Sequence, residues 1–226
     1  MAGNEKRREK SVQRIKKAAV KLFATKGYAG TSVKDIAAEA GLSKGGLLHY
    51  FPAKRDLALS LFVSLHEALA KQEDMLISAK GTIRERIHWA IKYFFKWVKK
   101  SPHTFLYLFG SDIAKVTKDG KLPEVEFAPA GVMRRLIIEG QASGEVRAGD
   151  PDILLLSFRI TVEVARDYAH GWMEEEQFDA LVDEVAELVW RGIAARPPAG
   201  DGQDRTVLKR LKRGDGRIRK RNRQVA

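Results

Sequence analysis

The sequence predicts an all-α protein, a small three-helix head followed by a larger helical body. Three observations lead to this. Apolar residues recur at three- and four-residue spacing along most of the chain, and alternating strand patterns are scarce. Glycine, serine and proline cut the first 52 residues into three short segments, whereas the segments beyond Pro52 are longer. Charge is also segregated. Residues 1–52 hold 11 Lys/Arg against 4 Asp/Glu, residues 203–226 hold 10 against 2, and residues 53–202 hold 20 against 23. The excess positive charge therefore lies at the two ends, which points to a polyanionic partner.

The elements follow in order. Ile15, Ala18, Ala19, Leu22 and Phe23 form one apolar stripe of a first helix, stopped by Lys26-Gly27. Ser32 with Asp35 makes a capping box for a second helix, whose buried positions are Val33, Ile36, Ala37 and Ala40. Gly41-Leu42-Ser43 interrupts the pattern. Ser43 is suited to cap a third helix running through Phe51, and Pro52 ends it. A fourth helix is expected at 54–78, with Leu57, Leu61, Phe62 and Leu65 on one side, and a fifth at 82–100. A short helix through Phe105 and Leu108 follows, then a loop at 116–123 around Asp119-Gly120. Helices at 124–141, 151–170 and 176–195 complete the body, closed by Arg196-Pro197-Pro198-Ala199-Gly200.

Several function classes lose support. The absence of cysteine removes disulfides, thiolate chemistry and Cys-based zinc sites. No run approaches the roughly 18 apolar residues of a membrane span. The basic N-terminus lacks the apolar stretch of a signal peptide, so a cytoplasmic protein without membrane contact is expected. His49, His66, His88, His103 and His170 show no metal-ligand spacing. Asp112 and the run Glu174-Glu175-Glu176 read as a solvated loop and a helix start, not as acid–base machinery. Neither an enzyme nor a bound cofactor is expected.

Two short helices separated by Gly41-Leu42-Ser43 suit a helix-turn-helix. The turn needs a residue free to take positive φ, which Gly41 supplies. Leu42, Leu47 and Phe51 would hold the third helix against the first two. That leaves Ser43, Lys44, Gly45, Gly46, His49 and Tyr50 at its start or on its outward face, where they can meet phosphates and base edges.

The segment AVKLFATKGYAGTSVKDIAAEAGLSKGGLLHYFPAKRDL, residues 19–57, closely resembles the head of the tetracycline-repressor (TetR) family. The resemblance implies that the third helix is the recognition helix and that Ser32 and Lys34 lie near phosphates. It also implies that Tyr50 contacts a phosphate and that Lys54 clamps the DNA backbone. Two positions depart from the family pattern. Leu48 stands where a tyrosine is common, and Gly46 where a larger residue is common. The Gly45-Gly46 pair has two readings: close approach of the backbone to DNA, or a helix that stays frayed until DNA orders it.

The family's second domain implies a ligand-binding and dimerisation body. A homodimer would form through the last two long helices, about 153–168 and 178–193. The second of these carries Leu181, Val182, Val185, Leu188, Val189 and Ile193 on one face, which suits either a dimer seam or the chain's own core. Aromatics cluster in the middle helices. Phe94, Trp97, Phe105 and Phe109, with Met133 and Ile137, fit core packing or the wall of an apolar cavity. His66, Arg134, Arg159 and Glu163 are the polar candidates to orient a small-molecule effector there, although for each one taken alone a salt bridge or a surface position is the favoured reading.

The domains read as a DNA-binding head at 10–56, an effector-binding and dimerisation body at 57–196, and a basic tail at 197–226. The function this implies is a dimeric repressor, bound to a pseudo-palindromic operator in double-stranded DNA and released by a hydrophobic or amphipathic effector. The alternative is an architectural or partner-recruiting DNA-binding protein that senses no small molecule.

Overall fold

Every regular element described in the computed structural model, which covers residues 2–77, 80–110 and 128–195, is helical. The head contains α1 (Ala2–Lys26), α2 (Val33–Glu39) and α3 (Lys44–Tyr50), and α4 (Lys54–Ile77) leads out of it. The body contains α5 (Ile83–Lys100), α6 (Pro102–Phe109), α7 (Ala128–Ser143), α8 (Pro151–Leu155), α9 (Arg159–Ala169) and α10 (Glu175–Ile193). None of the described helices is long and apolar enough to cross a membrane. The expected loop at 116–123, residues 124–127, Ser78, Asp112 and the tail at 197–226 lie outside the described residues.

The start and stop signals act locally as the sequence suggests. Ser32 Oγ accepts from the Asp35 N–H at 3.1 Å, and the Asp35 carboxylate accepts from the Ser32 N–H at 2.9 Å. The same hydrogen bonds from Ser32 hold the Asp35 carboxyl below its ordinary pKa. Ser43 Oγ accepts from the Gly46 N–H at 3.0 Å and caps α3. Gly27 closes α1 with φ +73°.

One expected element differs. The segment 151–170 is not a single helix: a 3₁₀ turn at Leu156–Phe158 separates α8 from α9. The Ser157 hydroxyl donates back to the Leu154 carbonyl at 2.8 Å, offering the backbone a tighter local bond than the α-helical one.

Two apolar cores result. The head core joins Ile15, Leu22, Phe23, Ile36 and Leu47 to Leu57, Leu61 and Phe62 of α4, so it continues past the boundary expected at residue 56. Tyr107 and Leu108 of α6 belong to it as well. The body core is built on Ile87, Ile91, Phe95 and Phe105 with Leu136, Ile137, Phe178 and Val189.

The α5–α10 pair carries a charge register that the sequence reading missed. Arg84 meets Glu187 at 2.8 Å, Lys92 meets Asp183 at 2.5 Å, and Lys99 meets Asp179 at 2.8 Å and Glu175 at 2.7 Å. Positions 84, 92 and 99 ascend along α5 as their partners 187, 183 and 179 descend along α10, the order that two antiparallel helices require. Hydrogen bonds to Asp179 and Glu175 raise the Lys99 pKa, and those from Arg191 and Arg84 lower that of Glu187. Glu175, read from the sequence as part of a solvated helix start, is one of these partners.

Candidate functional site

The head presents α3 outward on a support built from α1 and α2. Leu47 is fully buried, and Leu42 and Phe51 pack partly against the same core. Ser43, Lys44, Gly45 and His49 are exposed, while Gly46 and Tyr50 are half-buried. The His49 and Tyr50 rings meet edge-on at 5.4 Å. Ser32 and Lys34 are exposed at the start of α2. The starts of α2 and α3 thus offer hydroxyls and two ammonium groups to solvent, and the last turn of α3 an imidazole, the donor set that reads phosphates and base edges.

The two glycines of α3 occupy different surroundings. A Cβ built on Gly45 would meet nothing within 4 Å, whereas one on Gly46 would lie 3.2 Å from Ser43 Oγ, tight against the cap. Leu48, where the family usually has tyrosine, is half-buried.

Three residues that hold this unit together were not singled out from the sequence. The Arg14 guanidinium donates to the carbonyl oxygens of Ala40 and Gly41, closing the C-terminal end of α2. Gly41 has φ +65°, and a Cβ there would run into Arg14 Nη2. Thr31 is buried, and its hydroxyl donates to the Gly27 carbonyl at 2.7 Å. Tyr28 lies under Lys54, whose ammonium donates to the carbonyls of Tyr28 at 2.8 Å and Thr31 at 2.9 Å. A lone arginine directly before an apolar stripe carries no pattern signal, because its partners lie 26 and 27 residues away.

In the body, the predicted aromatics converge. The Phe105 and Phe109 rings stack at 4.5 Å, and Phe94 packs edge-on against both at 6.0 and 5.8 Å. Trp97 joins at 5.9 Å from Phe94. Met133 and Ile137 are buried in the same body core. His66 is buried on α4, its Nδ1 2.9 Å from the Phe62 carbonyl oxygen and its ring 4.1 Å from the Phe62 ring. Burial pushes its pKa down, against a smaller opposing effect of that carbonyl.

The charged candidates do not join this cluster. Arg134, Arg159 and Glu163 are exposed; Arg134 pairs with Asp152 at 2.8 Å, and Glu163 with Arg166. The reason is helical phase. α7 buries Val132, Met133, Leu136 and Ile137, which turns position 134 to water, where a guanidinium avoids desolvation. Arg159 and Glu163 likewise sit one turn apart on the outer face of α9, whose inner face buries Thr161 and Ala165.

α10 divides the apolar face expected of it. Phe178, Val185, Ala186, Val189 and Ile193 are buried in the chain's own core, largely against α5, and Leu181 and Val182 are half-buried. Leu188 is left 54% exposed, with Ile153 and Leu156 of the preceding segment 62% and 57% exposed.

Comparison with known proteins places these features. Residues 15–61 match the family described as bacterial regulatory proteins, tetR family. A fatty acid metabolism regulator protein of Bacillus subtilis is 25% identical over 192 residues, 83% of this chain and 98% of the relative. The crystal structure of the transcriptional regulator FadR from Bacillus subtilis in complex with stearoyl-CoA superposes with a TM-score of 0.66 at 25% identity, covering 80% of this chain and 98% of that one. A TetR-family regulator from Marinobacter aquaeolei shares the fold at a TM-score of 0.68 and 21% identity, over 85% of this chain and all of the other. Residues 15–61, the capped and arginine-braced helix-turn-helix, thus carry the head of the tetR family of bacterial regulatory proteins, and the helical body shares the fold of TetR-family transcription regulators.

Proposed function

We propose that this regulator is a homodimeric repressor that leaves a pseudo-palindromic operator when a long-chain acyl effector, in the first instance an acyl thioester, binds its body. One observation carries the reading: α6 faces two ways. Its Phe105 is buried in the core of the body, its Tyr107 and Leu108 belong to the core of the head, and its Phe109 packs against both. The Tyr107 hydroxyl also donates to the Ala58 carbonyl on α4 at 2.6 Å. A ligand that displaces the Phe105–Phe109 stack therefore moves a helix that is tied directly to the base of the head.

The effector class is supported by the Bacillus subtilis relatives, one named for fatty acid metabolism and one solved with stearoyl-CoA. Apolar aromatic walls suit an acyl chain better than a polar metabolite. In the head, Lys44, Gly45, Gly46 and His49 meet the major groove, with Ser32, Lys34, Ser43 and Tyr50 on phosphates. Lys54 acts by fixing the carbonyls of Tyr28 and Thr31. Two heads on a dimer cover two half-sites and exclude other proteins from the promoter they occupy. The exposed Ile153, Leu156 and Leu188 form the seam with a second copy.

A tenfold to hundredfold release requires only about 1–3 kcal/mol of coupling. The test is fluorescence anisotropy of operator DNA, recovered by selecting bound fragments from the source genome, titrated with stearoyl-CoA. Loss of at least ten-fold in DNA affinity is expected; unchanged affinity at saturating acyl thioester would refute the release.

A further inference from the structure

Where the head meets the body there is a cleft of about 560 Å³, walled by the end of α1 on one side and by α6 and the end of α9 on the other. Phe23 and Tyr28 supply the head wall, Phe105 and Phe109 the floor, and Arg166 and His170 the polar rim. Its size lies within the ordinary range of small-molecule sites. Its chemistry is two-sided: aromatic rings face a guanidinium and an imidazole, the pairing that suits an amphipath with an anionic end.

We propose that this junction cleft is the head-group site of the effector, holding the anionic end of a long-chain acyl ligand at Arg166 and His170 and its first carbons against the Phe105–Phe109 stack. The assignment rests on the acyl-responsive reading above and locates that response at the seam between the two cores. Arg166 engages Glu163 through Nη1, one of its five N–H donors. The His170 ring is braced by Trp172 at 4.7 Å. The carbonyls of Arg166, Asp167 and Tyr168 at the end of α9 already accept from the N–H groups of His170, Trp172 and Gly171.

The cleft also touches the residues that tie the head together. Phe23 lies 5.8 Å from the Tyr107 ring and 5.6 Å from that of Tyr28. Tyr28 in turn carries the Lys54 ammonium at the start of α4. An occupant that widens the gap between Phe23 and Phe105 separates α1 from α6, so a ligand that fits the widened state favours it by its own differential affinity.

The test uses the full chain, with stearoyl-CoA and stearate as probes, and compares the parent with Arg166→Gln and Ala24→Phe, the latter filling the cleft from α1. Calorimetric Kd values are read beside circular dichroism and ligand-free operator binding. The proposal expects each variant to lose at least five-fold in acyl affinity while helical content holds. A loss for both probes identifies a carboxylate-sized head group, and a loss for stearoyl-CoA alone identifies the phosphates of the thioester carrier; either supports the site. If both variants bind and release like the parent, the ligand lies elsewhere and the cleft is refuted while acyl-responsive release stands. If the parent binds neither probe, the release reading falls as well.

Discussion

The Lys54 ammonium lies 2.8 Å from the Tyr28 carbonyl oxygen and 4.1 Å from the centroid of the Tyr28 ring. The side chain that the family resemblance casts as a clamp on DNA is thus engaged inside the head. It gathers the Tyr28 and Thr31 carbonyls in the turn that leads into α2. Lys54→Met leaves these carbonyls without their charged donor. A loss of about 2 kcal/mol in unfolding free energy is expected, since hydrogen bonds to charged groups contribute roughly 1.5–3 kcal/mol. Urea denaturation measures it, and a variant that weakened operator binding with no change in stability would return Lys54 to a direct DNA role.

Gly41 and Gly45 should respond to alanine in opposite directions. Gly41→Ala forces a Cβ into the left-handed region and against the Arg14 guanidinium, at a cost of about 1–2 kcal/mol for the backbone alone. Gly45→Ala meets no neighbour and gains up to about 1 kcal/mol of helix propensity. Thermal melts should move down for the first and up for the second. On the proposed docking of α3 in the major groove, operator affinity of Gly45→Ala should nevertheless fall, because the added methyl would crowd the duplex. A rise would instead identify the glycines as a fraying device relieved by pre-ordering.

Ser43→Ala removes the side-chain acceptor of the Gly46 N–H at the start of α3. The expected cost is about 1 kcal/mol in stability. Hydrogen exchange should show it as faster opening of α3 than of α4, and equal acceleration in both would contradict a local cap.

The contrast among these residues shows what could be read in advance. Ser32, Asp35 and Ser43 act within three residues of themselves, so their roles are written in local order. Ile15, Leu47 and Leu57 betray themselves by period. Arg14, Tyr28 and Thr31 act on carbonyls that only the tertiary fold brings near, and nothing in their spacing reports it. The same limit separated the candidate ligand residues. Phe94, Trp97, Phe105 and Phe109 share an apolar phase and do meet, whereas Arg134, Arg159 and Glu163 were embedded in apolar stretches of sequence yet turn to water. The body's charge register was missed because its two stripes lie some ninety residues apart and each alone reads as a solvated face.

His66 should make stability depend on pH. Burial lowers its folded-state pKa below that of the unfolded chain, so the unfolded state binds its proton first as pH falls. The stabilisation is complete above the ordinary histidine pKa near 6.5 and is lost as pH drops from there through the lower folded value. Chemical denaturation between pH 7.5 and pH 5 should show a declining stability that His66→Gln flattens. An identical slope in the variant would assign the effect to other groups.

Ile153→Glu combined with Leu188→Glu places carboxylates on two exposed apolar positions of the proposed seam without touching Val185 or Val189 in the core. Light scattering at micromolar concentration should change from dimer to monomer, with helical content unchanged. A variant that remained dimeric would place the seam elsewhere.

The matched rungs of α5 and α10 bear on how salt experiments with this regulator are interpreted. The pairs stand in water, so added electrolyte screens them, just as it weakens contacts to DNA phosphates. A titration of operator affinity against potassium chloride therefore combines two processes of the same sign, counterion release from the duplex and loosening of the helix pair that backs the body. The slope will overcount phosphates unless the melting temperature of the free protein is followed through the same concentrations and its share subtracted.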